Sequence, residues 1–167
     1  SPITGWQILD GNYYYFHSNG AMAVSTTVNG YYLDENGIAA NAIKHQIKEL
    51  LTVSGTTPEL IYSYVTANYR YRHIEETRTL EQLNAAGWDT LVAYTLTNRR
   101  GVCYYLAATM DYFLQIAGYQ TRLVYATHNT GDHYWCQVWY QNAWHNFDPT
   151  YNNRSDISWQ DILTLGN

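Results

Sequence analysis

An α+β fold, helices first and an antiparallel sheet last, with β-hairpin repeats in front, is predicted by three features of this sequence. The first forty residues repeat at a fixed period. The middle carries apolar residues three and four positions apart. The last third holds short strand-like runs separated by turn residues. At 167 residues, the chain suits one domain of ordinary size, or a smaller domain with an appendage.

The repeat aligns "YYFHSNGAMA" (14–23) with "YYLDENGIAA" (31–40) at a period of 17. Each unit is a short aromatic run, a polar turn ending in Asn-Gly, then small apolar residues. That order predicts β-hairpins in an array. No lysine or arginine precedes Lys44, whereas all nine basic residues lie from there on. A boundary is therefore expected after residue 40, with domains at 1–40 and 41–167. From Asn41 the period becomes helical through Ile43, Ile47, Leu50 and Leu51. Pro58 opens "PELIYSYVTANYRY" as a second helix. "TLEQLNAAG" reads as a short helix with Thr79 as N-cap and Gly87 as stop, and "WDTLVAYTLTN" as another. "CYYLAATMDYFLQIAG" has Leu106, Met110, Phe113, Leu114 and Ala117 on one stripe, ended by Gly118. Strands are expected at 121–128, 133–140 and 144–150, joined by "NTGD" and "QNA" turns. A last short helix is expected in "ISWQDILTLG".

A formal charge of −5 argues against nucleic acid as the main partner. No apolar run approaches the roughly 18 residues that cross a membrane. The chain opens abruptly at "SPITGW", as a piece of a longer protein would, so it is uninformative about targeting. Eighteen tyrosines and six tryptophans suit contacts with sugars or cations, or the aromatic ladders of a β-rich segment. Two cysteines cannot make a disulfide scaffold.

Cys103 falls in the first turn of the clearest helix, just after Gly101, and shares its core stripe. The helix N-terminus favours a thiolate, and Arg99 and Arg100 add positive potential. On these grounds Cys103 is either a nucleophile or a buried filler. A nucleophile needs a base and a group to orient it. His133 opens the second strand and Asp148 closes the third, nearly equidistant from a turn centred near 141. They are expected side by side on neighbouring strands. His128 and His145 are less well placed, and His145 has the wrong parity relative to Asp148. Cys136 lies three residues after His133, faces the other side and reads as a buried apolar residue. The parity argues against a Cys103–Cys136 disulfide. His128, Cys136 and His145 do not converge with the Cys103 group, so no metal site is expected.

"GWQILDGNYYYFHSNGAMAV" resembles the cell-wall-binding repeats of Gram-positive surface proteins, the choline- and glucan-binding type. The resemblance covers about residues 5–40. It implies secretion to the cell surface or wall and a ligand cage of Trp and Tyr from neighbouring repeats, with choline or wall polymer as partner. The aromatic residues concerned are Trp6, Tyr14, Tyr15, Tyr31 and Tyr32, with Thr26 where the second unit would carry tryptophan. "GVC", "DHYWCQVWY" and "WHNFDPT" resemble the transglutaminase-like superfamily of papain-related cysteine enzymes. Its pattern is met in order by Gly101/Cys103, His133/Trp135/Val138 and Trp144/Asp148/Pro149/Thr150, over about residues 41–167. This resemblance implies a papain/transglutaminase-like core and a catalytic Cys103–His133–Asp148 triad. The implied activity is attack on an amide of a protein or peptide through a thioester, ending in transamidation or hydrolysis. The backbone N–H of Cys103 is one oxyanion donor, with Tyr69 or Tyr71 as candidates for the second. No cofactor is implied. Calcium, used by some animal transglutaminases, finds no acidic loop here. The rival expectation is a non-catalytic wall-associated binding module that keeps the fold.

Overall fold

The computed structural model describes residues 3–9, 12–128 and 131–151. It divides into two compact units, Ser1–Gln46 and Ile47–Asn167.

In the first unit, β1 (Gly5–Leu9) and β2 (Asn12–Phe16) form an antiparallel hairpin, with Trp6 opposite Tyr15 and Gln7 opposite Tyr14. Strands β3 (Thr26–Val28), β4 (Tyr31–Leu33) and β5 (Ala39–Asn41) form a three-stranded antiparallel sheet. The β3–β4 turn is Asn29-Gly30, with φ of 50° and 81°. Both residues are left-handed, as a tight hairpin with the twist of its strands requires. Asp34 shapes the β4–β5 turn, its Oδ1 accepting from the N–H groups of Asn36 and Ile38 at 2.8 and 2.9 Å. Ala23 and Leu33 are buried. The register refines the repeat alignment: Tyr32 pairs with Thr27 as Tyr15 pairs with Trp6. Thr27, one residue after the expected Thr26, thus holds the tryptophan's place.

The division falls within helix α1 (Ala42–Ser54). In the second unit, α2 (Pro58–Asn68) starts at Thr57, whose hydroxyl accepts from the N–H of Leu60 at 3.3 Å. Then come β6 (Arg70–Tyr71), α3 (Leu80–Ala86), α4 (Asp89–Asn98), β7 (Arg100–Gly101) and α5 (Cys103–Ile116). Thr79 caps α3 in a reciprocal box with Gln82, and Gly87 at φ 82° ends it. The last three strands are β8 (Thr121–His128), β9 (Gly131–Tyr140) and β10 (Ala143–Phe147), antiparallel with β9 in the middle. Gln141 and Asn142, with φ of 51° and 62°, form the β9–β10 turn. Asn129 and Thr130 of the expected "NTGD" turn lie outside the described residues, as does the expected helix in "ISWQDILTLG".

Helix α5 is the centre of this unit and packs on α2, α4, β8 and β9. The expected stripe holds at Leu106, Met110, Phe113 and Leu114, all fully buried. Burial also runs unbroken from Tyr105 to Asp111, because neighbours cover the helix on several sides rather than one. One pairing has no counterpart in the sequence reading: β6 and β7 run parallel, with Tyr71 opposite Gly101. This two-residue ladder ties the end of α2 to the segment that leads into α5.

Candidate active site

Cys103 is the first residue of α5, following Val102 in extended conformation (φ −92°, ψ −176°). The side chain of the N-cap residue, Val102, makes no bond to the first-turn N–H groups of α5. The thiol is partly exposed and free of any disulfide.

His133 and Asp148 meet: Nε2 of the ring lies 2.5 Å from Oδ2 of the carboxylate. The register of β9 and β10 pairs Phe147 with Cys136. Continued by one residue, it would set Asp148 opposite Trp135. The His133–Asp148 contact is therefore diagonal, made just beyond the end of β10, not the direct cross-strand pair expected from the turn centre. Asp148 is fully buried. Its Oδ1 accepts from the N–H of Thr150 at 2.9 Å, and its backbone carbonyl accepts from the Tyr62 hydroxyl at 2.9 Å. These contacts hold the carboxylate still. The Cys103 thiol lies near enough to His133 to favour the charged ring, and Asp148 engages the ring at Nε2. Burial of the ring opposes its charge, but the Asp148 bond and the Cys103 thiol outweigh that and push His133 up to about 9.

Supporting contacts come from Trp135, already part of the motif, and from Gln137 and Tyr62, which were not singled out from the sequence. Trp135 stacks near His133, with ring centroids 5.9 Å apart, and donates Nε1–H to Asn146 Oδ1 at 2.9 Å. Gln137 donates to the same oxygen at 2.7 Å and accepts from Arg122 Nε at 2.7 Å. The period-two spacing of His133, Trp135 and Gln137 was the available signal. Tyr62, on α2, carried none.

The other candidates lie elsewhere. Tyr69 is a core aromatic, not a second oxyanion donor. It is buried against Tyr64 and Phe113, and Phe113 stands ten residues down α5 from Cys103, about 15 Å along the axis. Burial holds its hydroxyl well above the ordinary tyrosine range. Tyr71 stays beside Gly101, close to the start of α5. Arg99 caps α4 with left-handed backbone (φ 58°), and both Arg99 and Arg100 are exposed. His145 donates from Nε2 to the Tyr140 carbonyl at 2.9 Å. The side chain of His128 lies outside those described. Cys136 is buried, its sulfur 3.8 Å from Asp111 Oδ1, and burial raises its thiol well above the usual range. Among the described residues, no three His, Cys, Asp or Glu side chains are grouped to hold a metal ion.

The coil after β6 is latched to α5. Glu76 accepts a forked pair of bonds from Arg78, at 2.8 and 2.9 Å, and one from the Tyr105 hydroxyl at 2.6 Å. Those bonds, Arg78 first, hold Glu76 down at about 2. A carboxylate held below its unfolded value stabilises the fold above the ordinary glutamate range. The contribution is lost as pH falls through that range toward 2. Glu76→Gln is expected to cost about 1–2 kcal/mol at neutral pH and to flatten this acid-side loss, as read by chemical denaturation between pH 2 and 7.

In the first unit, Trp6, Tyr13, Tyr31 and Ala39 line a cleft of about 390 Å³. Trp6 meets Tyr31 edge-on at 5.6 Å and Tyr15 at 5.2 Å. Of the five expected aromatics, Trp6 and Tyr31 line it. Tyr15 braces Trp6, whereas Tyr14 has the opposite parity on β2. Tyr32 stacks on His45, centroids 3.4 Å apart. Tyr13 joins the cleft without having been singled out.

Residues 41–149 match the model of the transglutaminase-like superfamily, and residues 5–38 that of the choline-binding repeat. The periplasmic domain of TgpA from Pseudomonas aeruginosa is a similar solved structure. It is 14% identical, with a TM-score of 0.53 over 96% of this chain and 77% of that one. A candidate cysteine protease from Cytophaga hutchinsonii is 17% identical, with a TM-score of 0.48 over 64% of this chain and 37% of that one. This chain thus spans little more than a third of the latter protein's length. No curated protein sequence matches significantly. The TgpA domain shares the mixed fold of helices and antiparallel sheet seen here. A family match over more than half of its length makes this chain a member of the transglutaminase-like superfamily, with a choline-binding repeat ahead of that domain.

Proposed function

We propose that this chain is a cysteine enzyme that acts on amide bonds at the cell surface. The observation that carries the reading is His133 held by the buried carboxylate of Asp148, Nε2 2.5 Å from Oδ2, with Cys103 at the first position of α5 near enough to favour the charged ring. The Cys103 thiolate attacks the carbonyl carbon of the acyl donor, and the N–H of Cys103 supports the oxygen that gains charge. Imidazolium His133 gives its proton to the leaving amine as the C–N bond breaks, leaving a thioester. His133 then takes a proton from the acceptor, an amine or water, which attacks the thioester and releases the thiol. Tyr71, beside Gly101, is the candidate for a second oxyanion donor. The domain division proposed from the sequence, 1–40 and 41–167, assigns this chemistry to the second part.

One paired assay tests the reading. A glutamine-containing protein is offered with a labelled primary amine, following both amine incorporation and peptide release, with Cys103→Ala as control. Incorporation alone supports transamidation, and release alone supports hydrolysis. A Cys103 that iodoacetamide cannot alkylate at pH 8 would leave the chain a binding module.

The repeats are proposed to anchor the enzyme to choline-bearing wall polymer. A trimethylammonium group suits ring faces such as those of Trp6, Tyr13 and Tyr31. Trp6→Ala is expected to weaken choline binding about fivefold or more, measured by calorimetry. Unchanged binding in that variant would remove the cleft as the site.

A further inference from the structure

The face of β9 that carries His133 also carries a row of polar groups that the proposed chemistry does not use. At its outer end Arg122 is exposed, its guanidinium carbon 4.0 Å from the centre of the Trp144 ring, and its Nε donates to Gln137 Oε1 at 2.7 Å. Gln137 donates in turn to Asn146 Oδ1 at 2.7 Å, and Trp135 Nε1 donates to the same oxygen at 2.9 Å. The direction of the row is forced. A guanidinium and an indole N–H can only donate, so Gln137 must turn its oxygen to Arg122, and Asn146 must turn its oxygen to Trp135. Gln137 is buried and Trp135 fully so. Burying amides costs free energy that aliphatic side chains at 137 and 146 would not, and what the amides supply is a fixed plane for the indole. That plane matters because of the register. Asn146 stands opposite Gln137 and Phe147 opposite Cys136, so Trp135 bonds a residue two before the position that the register sets opposite it. His133 makes the same step to Asp148. Neighbouring side chains on one face of β9 thus lean the same way, and their rings lie nearly parallel, 21° apart with centroids at 5.9 Å.

We propose that Asn146 is a positioning residue for His133: its side-chain oxygen fixes the Trp135 indole, and the indole fixes the imidazole in the plane that meets Asp148. The proposal rests on the reading of Cys103 and His133 as nucleophile and base, and its test separates the two. The titration midpoint of His133 in the full chain is followed by the NMR signals of its ring, assigned by comparison with His133→Gln, beside iodoacetamide labelling of Cys103 at pH 8. Asn146→Leu keeps the size of the side chain and removes the acceptor. It is expected to lower the His133 midpoint by about one pH unit, because an imidazole freed to tilt loses part of its bond to Asp148. Trp135→Phe keeps a ring in place but loses the N–H, and is expected to cause a similar fall. The two together should lower the midpoint no further than either alone, as changes at the two ends of one bond do. A side chain that serves packing alone would lower the unfolding temperature on removal and leave the midpoint of the folded protein unmoved. An unmoved midpoint in Asn146→Leu, whether or not Trp135→Phe folds, overturns the positioning role and leaves the nucleophile reading standing. A further fall in the double variant overturns the route through the indole. Failure of iodoacetamide to label wild-type Cys103 overturns the nucleophile reading and this proposal with it.

Discussion

Asp148→Asn is expected to lower acyl transfer by about a thousandfold or more while leaving the fold intact, the scale seen when a triad carboxylate loses its charge. The physical reason is specific to this site. Asp148 is fully buried, tied through Oδ1 to the N–H of Thr150, and holds His133 Nε2 at 2.5 Å. Asparagine fits the same space but does not stabilise imidazolium. The ring then keeps its burial, which opposes charge, and loses the main interaction that sustains it. In the wild type His133 is held at about 9. Acylation, which needs the imidazolium as acid, is expected to fall about tenfold per pH unit above that value. In Asp148→Asn this alkaline limb moves to lower pH. Stability follows the same proton. A histidine raised above its unfolded value stabilises the fold fully below about 6.5, and that contribution is lost as pH rises through 9. Denaturation curves should show this decline between pH 6.5 and 9 in the wild type and a flatter profile in the variant. Activity within twofold of wild type, with an unmoved limb, would remove Asp148 from the proposed triad.

The parts of this site that could be read in advance are those encoded over short distances. The Thr79 cap, the stop at Gly118 and the turn at Gln141-Asn142 are local devices, and each stands where its residues suggest. Cys103, His133 and Asp148 were picked out by spacing and motif, and His133 and Asp148 meet in the structure. What stayed hidden depends on contacts far apart in sequence or on strand phase. Tyr62 reaches Asp148 across 86 residues, and no periodicity encodes that. The β6–β7 pair is two residues long, too short for any pattern. It decides why Tyr71 lies near Cys103 while Tyr69, two residues earlier, enters the core. On β2, four consecutive aromatics from Tyr13 to Phe16 leave the facing side undetermined. A one-residue shift exchanges faces, so Tyr13 shares the cleft with Trp6 and Tyr14 does not.

Gly101→Ala is the second large effect, and it explains why a glycine precedes the cysteine by two. The reason is space. A Cβ on Gly101 would sit 2.4 Å from Cβ of Tyr105 and 3.1 Å from its Cγ. Tyr105 Cβ is bonded to the α5 backbone and cannot swing aside as the end of a long side chain can. The far end of the same side chain is pinned as well, its hydroxyl held by Glu76 at 2.6 Å. Relief therefore requires β7 and the first turn of α5 to part by about 1 Å, a strain of roughly 1–3 kcal/mol for overpacking a buried contact. That movement carries Cys103 with it. A displacement of about 1 Å at a reacting atom costs on the order of a hundredfold in rate, so Gly101→Ala should lose both stability and acyl transfer. Gly118→Ala supplies the contrast. Gly118 has open space around it but a φ of +102°, so alanine there is strained by about 1–3 kcal/mol with no effect on Cys103. Thermal unfolding and Cys103 alkylation measured on both variants separate the two causes. If Gly101→Ala loses stability but alkylates like the wild type, the close approach of β7 to α5 is a packing feature alone. If both measures fall together only at Gly101, the glycine sets the position of the nucleophile.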